Sequence, residues 1–341
     1  MDLPSPLLRY RDGFHSFLRS TLGEGSPPLL YRMMRYHLGW EDEQGRPLTK
    51  GDGKALRPGL CLWACEAVGG DWRQALPAAA ALELMHNFSL VHDDIQDGDT
   101  ERRHRPTVWS LWGQPQAINA GDSLLALAHL ALLRLADGGV EPAKVVRACA
   151  ILDQGCLAMI EGQCLDIGFE ESTQISLEAY LEMIAKKSGA LFEASLHLGA
   201  LLGSDDESII QRFARCGRLL GTAFQIRDDM LGIWGSAEVT GKPVAADVRR
   251  KKKSLPIVHA LARPGDPRDA LLRLYAQETL SDGDVTQVTE ILDGLGTYDY
   301  CQRMAQERID QALAELAAAK VSGIAYRQFR QVAQFLLERE F

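Results

Sequence analysis

Four aspartates and three arginines are crowded into one short stretch, Ser89–Trp109, with the sequence SLVHDDIQDGDTERRHRPTVW. Asp93 and Asp97 stand four residues apart, so a helix would bring their carboxylates onto one face, one turn apart. Carboxylates this close repel one another unless a cation lies between them. Mg²⁺ prefers oxygen ligands and commonly takes one or two carboxylates together with phosphate oxygens. The stretch therefore predicts a metal-bridged polyphosphate site at the end of a helix.

The arginines follow the aspartates within a few residues, at Arg102, Arg103 and Arg105. A guanidinium group presents a fork of N–H donors that matches the oxygens of a phosphate. The alternative is that the acidic stretch is a solvated surface at a helix end. The preceding residues favour the phosphate site, because their helical spacing predicts a largely buried helix that carries its acids at one end. These apolar residues are Leu82, Leu84, Met85, Phe88, Leu90 and Val91.

A second acidic pair, Asp228 and Asp229, closes another apolar helical stretch far along the chain. Gln225 lies one turn earlier, where an amide would orient a ligand or a water molecule. Lys242 and a run of cations that ends at Lys253 follow the pair. A run of cations is usually a solvated surface, but after an acidic pair it can instead form a mobile lid over phosphate oxygens.

Two weaker elements also combine cations with a helix. Lys54 and Arg57 lie in GDGKALRP, where a glycine-rich approach to a helix N-terminus can present N–H groups and cations to a phosphate. Lys187 and Ser188 precede a glycine inside the helical run IAKKSGALF and would also suit a phosphate. In both stretches a solvated face with two cations is the alternative.

Polar groups inside apolar helices mark further candidates. His86 lies seven residues before Asp93, so both project from roughly the same helix face. It is either a core histidine or a donor to a phosphate oxygen. Glu161, Gln163 and Asp166 interrupt a third apolar stretch. Since buried polar groups need partners, these three either line a cavity or tie helices together, and we favour the second.

Composition restricts the classes of protein to which the chain can belong. It has 341 residues, of which 46% are apolar and 24% are charged, and a net charge of −9. These values fit a soluble globular protein and argue against nucleic-acid binding, whereas the clustered cations suit a small anionic ligand. Seven scattered cysteines without a signal peptide predict free thiols in a reducing cytoplasm. No apolar run is long enough for a transmembrane segment.

Hydrophobic periodicity predicts an all-α protein. Strand alternation is absent, and no domain boundary is evident. Several long helices in series suggest one domain over residues 1–341, with antiparallel helices around a central space. Helices are predicted over Leu7–Leu22, Pro28–His37, Gly59–Val68, Ala75–Asp93, Val108–Ala136, Pro142–Phe169, Ser176–Leu202, Asp206–Leu231, Lys253–Ala262, Pro267–Gln277, Asp284–Leu295, Asp299–Ala319 and Ala325–Glu338.

Taken in order, these motifs resemble those of the trans-isoprenyl diphosphate synthase (polyprenyl synthetase) family. They are GDGKALRP, HNFSLVHDDIQD with RRHRPT, KKSGALF, and FQIRDD with the later KKKSLP, and they extend from Lys54 to Pro256. The resemblance implies the isoprenoid synthase-type fold, an all-α bundle around a deep central cavity, and usually a homodimer. It also implies an enzyme that condenses isopentenyl diphosphate with dimethylallyl, geranyl or farnesyl diphosphate as the allylic substrate.

The resemblance assigns a role to each matching residue. Asp93, Asp97 and Asp228 would bind Mg²⁺, as two or three ions with diphosphate present, and Asp94 and Asp229 would support them. Contacts to the allylic substrate, several of them catalytic, would come from Arg102, Lys187, Ser188, Gln225, Lys242 and Lys252. Isopentenyl diphosphate would be held by Lys54, Arg57, His86 and Arg103.

The implied reaction needs no side-chain nucleophile. Metal ions and cations would stabilise the charge on the departing diphosphate. The double bond of isopentenyl diphosphate would then attack the allylic cation, and a proton would be lost to the released diphosphate. Apolar walls would keep water from quenching the cation.

Two departures from the family pattern concern the substrate sites. The first basic motif usually has an arginine where this chain has Ala55, so we expect weaker binding of isopentenyl diphosphate. The second aspartate-rich motif usually ends in aspartate where this chain has Gly232. One metal ion would therefore depend more on Asp228 and water.

The length of the product is predicted from the residues before the first aspartates. Phe88 stands five residues before Asp93, where a ring would block the growing tail, whereas Ser89 is small. An aromatic residue here, without inserted residues in the motif, resembles the short-chain synthases of the family. We predict geranylgeranyl diphosphate (C20) as the product. Farnesyl diphosphate (C15) is the alternative, and so is a purely packing role for Phe88.

Two other functions compete with chain elongation. A class I terpene cyclase shares the DDxxD motif, but its NDxxSxxxE-type second motif is absent from the sequence. A regulatory subunit of a hetero-oligomeric synthase would be expected to lose acidic residues, yet both pairs are present. The sequence therefore favours an elongating enzyme.

Overall fold

The computed structural model describes residues 4–23, 28–48, 53–172, 174–235 and 245–338. Helices dominate these ranges, and the one sheet within them is a two-stranded antiparallel hairpin of β1 (Glu101–Arg102) and β2 (Arg105–Pro106). The all-α prediction is therefore confirmed. None of the helices in the described part of the chain is long and apolar enough to cross a membrane.

Helices follow one another along most of the described residues. The first group is α1 (Ser5–Leu8), α2 (Arg11–Thr21), α3 (Leu29–His37), α4 (Leu56–Ala67), a 3₁₀ turn (Trp72–Ala75), α5 (Leu76–Gln96), α6 (Val108–Trp112), α7 (Gln114–Leu133) and α8 (Pro142–Glu171). The second group is α9 (Leu177–Ile184), a π-helical turn (Ala185–Gly189), α10 (Ala190–Gly203), α11 (Glu207–Trp234), α12 (Ala246–Arg249), α13 (Leu255–Leu261), α14 (Asp266–Tyr275), α15 (Asp282–Gly294), α16 (Thr297–Ala318) and α17 (Gly323–Glu338).

The contacts of the chain divide it into two compact units. The first unit comprises Met1–Cys156, Ala194–Ala214 and Ala319–Ala325. The second unit comprises Leu157–Glu193, Arg215–Ala318 and Tyr326–Phe341. Each unit carries one acidic pair, since Asp93 and Asp94 belong to the first and Asp228 and Asp229 to the second. The assignment of a single domain stays a prediction.

The core of the first unit is built around α5, which packs against α4 and α7. Trp63 of α4 is buried beside Phe213, with ring centroids 6.0 Å apart. Where α7 passes the end of α5, Gly121 faces the ring of His92, and a Cβ at Gly121 would lie closer to that ring than real Cβ atoms come to any atom. This close approach fixes the part of α5 that immediately precedes the acids.

The second unit is built around the last turns of α11. Ile226, Met230 and Ile233 fall three or four residues apart and are at most 1% exposed, as an amphipathic helix requires. Ile226 and Met230 pack with residues of α9, α13 and α16, and Ile233 packs with residues of α13, α14 and α15. The C-terminal helices therefore bury one face of the segment that carries Asp228 and Asp229.

Most predicted helices are present with ends shifted by a few residues, but some are interrupted. The helix predicted over Val108–Ala136 breaks at Gly113, whose φ of 83° ends α6, and α7 begins with Pro115 in its first turn. The helix predicted over Ser176–Leu202 widens to a π-helical turn before α10. The hairpin was not predicted, because strands of two residues are too short to show alternation.

Candidate functional site

The first acidic motif lies at the C-terminal end of α5, which closes in a Schellman motif. Gly98 takes the left-handed conformation with φ 66°, and the N–H of Asp99 donates to the carbonyl of Asp94 at 2.9 Å. Asp97 is the C-cap residue of the helix. Asp93 is half-buried and Asp97 is exposed. The two predicted metal ligands thus stand one turn apart at the end of the helix, as their spacing indicates.

Asp94 differs from its neighbours because it is only 1% exposed. Nε of Arg102 donates to its Oδ1 at 2.6 Å, and Nη2 of Arg102 lies 3.5 Å from Oδ2 of Asp93. Burial raises the pKa of Asp94 to about 6, and the positive charge of Arg102 opposes that rise. Asp94 therefore holds Arg102 beside Asp93, which gives its predicted supporting role a physical basis.

A β-hairpin fixes the direction of the arginines that follow. Arg103 and His104 have φ of 53° and 59°, the left-handed conformation that a two-residue type I′ turn requires at both positions. Such backbone costs about 1–3 kcal/mol per non-glycine residue, so the surroundings must enforce it. Thr107 Oγ1 and Trp109 Nε1 do so by both donating to the carbonyl of Asp99, at 2.9 and 2.8 Å.

Arg105 anchors the hairpin to α3 and the segment after it. Its guanidinium donates to the carbonyls of Tyr36 and Glu41, at 3.0 and 2.8 Å, and lies 4.0 Å from the centroid of the Tyr36 ring. The hydroxyl of Tyr36 donates in return to the carbonyl of Pro106 at 2.8 Å. Of the three clustered arginines, this one is used in packing.

Glu83 lies near two of the cations that were predicted to hold isopentenyl diphosphate. It lies on α5 about three turns before the acidic motif and is half-buried. Burial raises the pKa of Glu83, and the positive charges of Arg103 and Arg57 oppose the rise. Nδ2 of Asn87 donates to its carboxylate at 3.2 Å. A Cβ at Gly53 would lie 3.5 Å from Nη1 of Arg103 and 3.9 Å from Oε1 of Glu83, so the guanidinium and the carboxylate lie close to one another.

His86 shares this cluster as a neutral group. Burial lowers its pKa well below the usual value, and the charges of Arg57 and Arg103 lower it further. A neutral imidazole has one N–H donor and one acceptor, so His86 would give a phosphate a hydrogen bond and no charge. Lys54 of the same predicted set is exposed.

We expect Glu83→Gln to raise the KM for isopentenyl diphosphate by about ten-fold, equivalent to about 1.4 kcal/mol, with little change in kcat, because Arg57 and Arg103 lose a negative charge that attracts them. Glutamine keeps the volume of the side chain but removes the charge that holds Arg57 and Arg103. Initial rates at varied isopentenyl diphosphate measure the effect. The control is Glu66→Gln, which removes an acid paired with Arg9 elsewhere in the first unit. An unchanged KM in Glu83→Gln would show that Glu83 only fills space.

In the second unit, Asp229 lies in a buried hydrogen-bond network at the end of α11. The hydroxyl of Tyr180 donates to Oδ2 at 2.5 Å, Nε2 of Gln225 donates to Oδ1 at 3.0 Å, and the first backbone N–H of α13 donates to Oδ2 at 3.2 Å. Burial raises the pKa of Asp229 to about 6, against the charge of Lys252 and these hydrogen bonds. Asp229 is 1% exposed, and Asp228 is half-buried. Each acidic motif thus pairs a buried, hydrogen-bonded aspartate with a more exposed one.

Two adjacent lysines in the π-helical turn between α9 and α10 form ion pairs with different acidic residues. Nζ of Lys187 lies 2.5 Å from Oδ2 of Asp166. Nζ of Lys186 lies 3.1 and 3.2 Å from the carboxylates of Glu161 and Glu182. The preferred interpretation, that polar groups of α8 tie helices together, is therefore confirmed for Asp166. Glu161 does this and also lines a cavity.

Four predicted substrate contacts of the second unit cluster around Asp166 and α11. Burial acts to raise the pKa of Asp166, but the charges of Lys187 and Lys252 outweigh it, and the pKa is below its usual value. The hydroxyl of Ser188 donates to Oε1 of Gln225 at 2.5 Å. The second unit thus brings these two lysines, the serine and the glutamine into one connected group.

Lys253, at the end of the cationic run, caps the C-terminal end of α8. Nζ of Lys253 donates to the carbonyls of Phe169 and Glu170, at 2.9 and 2.5 Å, in the last turn of α8. Carbonyls there have no partner within the helix, so a cation caps them. Lys242 lies outside the described residues, and the lid function of this run stays a prediction.

Sequence reasoning missed the residues that hold the candidate site in place. Glu83 is, like His86, a polar residue in an apolar helix, so the sequence alone could have identified it as a candidate. Tyr180 gave no signal, because its hydroxyl meets an aspartate 49 residues further along the chain. Spacing within one helix cannot reveal such a partner.

The acidic groups suit a Mg²⁺ ion that is bound together with substrate phosphates better than a metal ion that is bound by protein side chains alone. In the ranges that the structure covers, no three side chains of Asp, Glu, His or Cys converge to hold a metal. Mg²⁺ keeps several waters and is bound through one or two carboxylates plus substrate phosphates. Asp93 and Asp97 offer that donor set, and so does Asp228. Oδ2 of Asp94 is buried and has no hydrogen-bond partner among the described atoms, as suits a group beside a cation site.

Comparison with known proteins identifies the family. The family model for polyprenyl synthetase matches residues 40–292. Over 333 residues the chain is 38% identical to a (2E,6E)-farnesyl diphosphate synthase from Mycobacterium tuberculosis, with 96% of this chain and 91% of that protein covered. It is 40% identical over 291 residues to a geranylgeranyl diphosphate synthase from the same organism, covering 85% and 82%.

A solved structure agrees over nearly the whole chain. The crystal structure of polyprenyl synthetase from Streptomyces coelicolor A3(2) matches with a TM-score of 0.90 and 36% identity, over 98% of this chain and 99% of that one. The residues that the family model matches include the acidic and basic elements described above. The protein therefore belongs to the polyprenyl synthetase family.

Proposed function

We propose that the protein is a short-chain trans-prenyltransferase that condenses isopentenyl diphosphate with dimethylallyl, geranyl or farnesyl diphosphate. The observation that carries the proposal is the common construction of the two acidic helix ends. Asp93 stands beside buried Asp94, and Asp228 stands beside buried Asp229, each buried partner being held by hydrogen bonds. Relatives named as farnesyl and geranylgeranyl diphosphate synthases support it.

The metal that this reaction uses is Mg²⁺, on which enzymes of the family generally depend. Asp93, Asp97 and Asp228 would hold it, as two or three ions once diphosphate binds. Bound Mg²⁺ supplies neutralisation of the charge that develops on the departing diphosphate. Asp94 and Asp229 keep the neighbouring aspartates and cations in place.

Side chains of the protein bind and orient both diphosphates. Those proposed for the allylic diphosphate are Arg102, Lys187, Ser188, Gln225, Lys242 and Lys252. Those proposed for isopentenyl diphosphate are Lys54, Arg57, His86 and Arg103. Their N–H and O–H groups, aimed at oxygens that gain charge, stabilise the transition state more than the ground state.

The carbon chemistry then follows without a protein nucleophile. The bond between the allylic carbon and the diphosphate oxygen breaks, and the isopentenyl double bond supplies the electron pair for the new carbon–carbon bond. Loss of a proton to the released diphosphate restores a double bond. Apolar side chains exclude water, which would otherwise capture the cation.

Product analysis tests this proposal. Purified protein is incubated with Mg²⁺, isopentenyl diphosphate and one allylic diphosphate at a time, and the products are identified by mass. We expect consumption of isopentenyl diphosphate and an elongated diphosphate with at least one allylic substrate. Hydrocarbon from geranylgeranyl diphosphate alone would identify a terpene cyclase instead. No consumption without an added partner protein would identify a regulatory subunit.

The C20 product that we propose rests on Phe88. This residue is 6% exposed, and its ring packs edge-on against His92, with centroids 4.9 Å apart and an angle of 70°. His92 is confined in turn by the close approach of Gly121. The ring is therefore fixed, as a barrier to a growing tail must be. The C15 product is the alternative, and the named relatives include makers of both.

We expect Phe88→Ala to lengthen the main product by at least one isoprene unit, because the ring no longer limits the tail. Phe213→Ala is the matched control, since it removes a fully buried ring from a different helix of the same unit. Both variants lose about 3–5 kcal/mol of stability, so stability alone does not separate them. Mass analysis of the products does. An unchanged product distribution in Phe88→Ala would mean that another residue sets the length.

The homodimer that we propose rests on an apolar surface of the first unit. Ile118, Leu130 and Leu133 on α7 are 45%, 59% and 50% exposed, and Val146 on α8 is 68% exposed. Several large apolar side chains exposed on two helices of one unit mark an interaction surface. A second copy of the chain supplies the matching apolar face in a two-fold dimer.

We expect the double variant Leu130→Glu/Leu133→Glu to be monomeric at concentrations where the native protein is dimeric. A two-fold interface contains each substitution twice, so the new like charges would be brought together without partners, and like charges at an interface cost several kcal/mol. Light scattering after size-exclusion chromatography measures the mass. Ile324→Glu is the control, because Ile324 is also exposed, at 62%, and lies in α17. A double variant that stays dimeric would place the interface elsewhere.

Cysteine usage bears on the cellular location. All seven cysteines are free thiols in the structure. Free thiols persist in reducing compartments, and we therefore propose a cytoplasmic location.

A further inference from the structure

The imidazole ring of His92 on α5 lies directly against the backbone of α7. A Cβ at Gly121 of α7 would lie 2.4 Å from both Cδ2 and Nε2 of that ring. Real Cβ atoms essentially never come within 3.0 Å of another atom. The ring therefore occupies the volume in which a side chain at position 121 would begin, and only glycine there leaves room for it.

Polar groups of α7 also hold the outer edge of the ring. Nε2 of His92 lies 3.4 Å from the carbonyl oxygen of Ile118 and 3.5 Å from Oδ1 of Asp122. Both oxygens are acceptors, so an Nε2 that carries the proton has acceptors only on the side of α7. Backbone contact at Gly121 and these two acceptors together determine where the ring lies.

His92 also supports Phe88, which lies one turn earlier on α5. The two rings meet edge-on, with centroids 4.9 Å apart and an angle of 70° between their planes. An aromatic pair in this geometry contributes about 0.5–1.5 kcal/mol beyond the area that it buries. Because His92 contacts α7 as well as Phe88, its ring fills space into which the Phe88 ring would otherwise turn.

We propose that His92, seated on Gly121, helps to set the length of the prenyl product by holding Phe88 across the path of the growing tail. This inference rests on the proposed function and deepens it, since it assigns a part in specificity to the last turns of α5 and to a glycine of another helix. His92 acts here through Phe88, so it is a positioning residue and not a catalytic one.

We expect His92→Ala to yield products at least one isoprene unit longer than the native product, although Phe88 is still present. Without the neighbouring ring, Phe88 can turn towards α7 and open the path of the tail. The measurement is the mass distribution of products from isopentenyl diphosphate and each allylic diphosphate. This distribution does not depend on how much of the enzyme is active, so a loss of stability alone leaves it unchanged.

A double variant separates support of Phe88 from other effects of the substitution. In His92→Ala/Gly121→Leu, the leucine side chain starts in the volume that the ring has left and fills it from α7. Leucine is also more favourable than glycine inside a helix. We expect the double variant to return to products of native length, a rescue that a general disturbance of α5 would not give.

Two further variants serve as safeguards. His92→Asn keeps a polar group near the Ile118 carbonyl but removes the ring, so it reports on the ring contact even if His92→Ala does not fold. His129→Ala removes another half-buried histidine of the first unit, which lies 2.6 Å from Oδ1 of Asp153, and should give native products.

Two results would overturn the proposal. One is a native product distribution in both His92→Ala and His92→Asn, and the other is a double variant whose products are as long as those of His92→Ala. A native protein that consumes no isopentenyl diphosphate would refute the proposed function instead.

Discussion

Asp93→Ala is expected to reduce kcat by about a thousand-fold or more while the helices persist, and Asp228→Ala is expected to do the same. A metal ion supplies several kcal/mol of stabilisation to the developing charge, and each 1.4 kcal/mol corresponds to about ten-fold in rate. Removal of a carboxylate that holds the ion forfeits that stabilisation. Steady-state kinetics at saturating Mg²⁺ measures the loss, and far-ultraviolet circular dichroism shows whether the fold remains.

The fold should tolerate both changes, because the two residues are only half-buried. Asp93 lies 3.5 Å from a nitrogen of Arg102, and a partly exposed pair of this kind contributes less than about 1 kcal/mol. Asp137→Ala and Asp310→Ala are the controls, one exposed aspartate from each unit. Full turnover in either Asp93→Ala or Asp228→Ala would contradict the metal role and, with it, the proposed reaction.

Gly162→Ala is expected to destabilise the protein by about 1–3 kcal/mol or more and to remove most of its activity. A Cβ at Gly162 on α8 would lie 2.6 Å from Cα and 2.8 Å from Cβ of Lys187. Backbone atoms cannot turn aside as a flexible side chain can. The π-helical turn must therefore move away from α8, and the ammonium of Lys187 leaves its place 2.5 Å from Asp166.

The expected loss of stability in Gly162→Ala is opposite in sign to the usual effect of this substitution in a helix. Alanine is ordinarily better than glycine inside a helix by about 1 kcal/mol, so a stabilising change is the default. Gly168→Ala lies on the same helix with no other atom within 4 Å of the new Cβ and should be stabilising. Urea denaturation of both variants, with kcat measured alongside, provides the comparison. Equal stabilisation in the two variants would show that α8 and the π-helical turn are not in close contact at Gly162.

Local signals in the sequence were sufficient for the helices and for the acidic ends. Apolar residues at three- and four-residue intervals predicted α5 and α11. Of those named for α5, all are buried in the structure except Leu90, which is half-buried. Asp93 and Asp97 stand at the end of α5 because the left-handed Gly98 closes that helix. Periodicity, capping and charge act within a few residues, so one sequence reveals them.

Contacts between distant segments were beyond the same reasoning. Lys186 and Lys187 are adjacent and chemically alike, and only the wider π-helical turn decides which of them faces Asp166. The contact of Gly232 with the carboxylate of Asp247 joins residues on different helices. Periodicity within α11 shows that Gly232 lacks a carboxylate, but it carries no information on which distant residue lies beside it.

The hairpin after α5 has a consequence for how this family member can change over evolutionary time. Its two-residue turn, with Arg103 and His104 at the tip, leaves no spare length, and the carbonyl of Asp99 is tied to Thr107 and Trp109. An inserted or deleted residue between these ties would reverse the side on which Arg102 emerges. This segment can therefore change over evolutionary time through residue replacement alone, while its length stays constant.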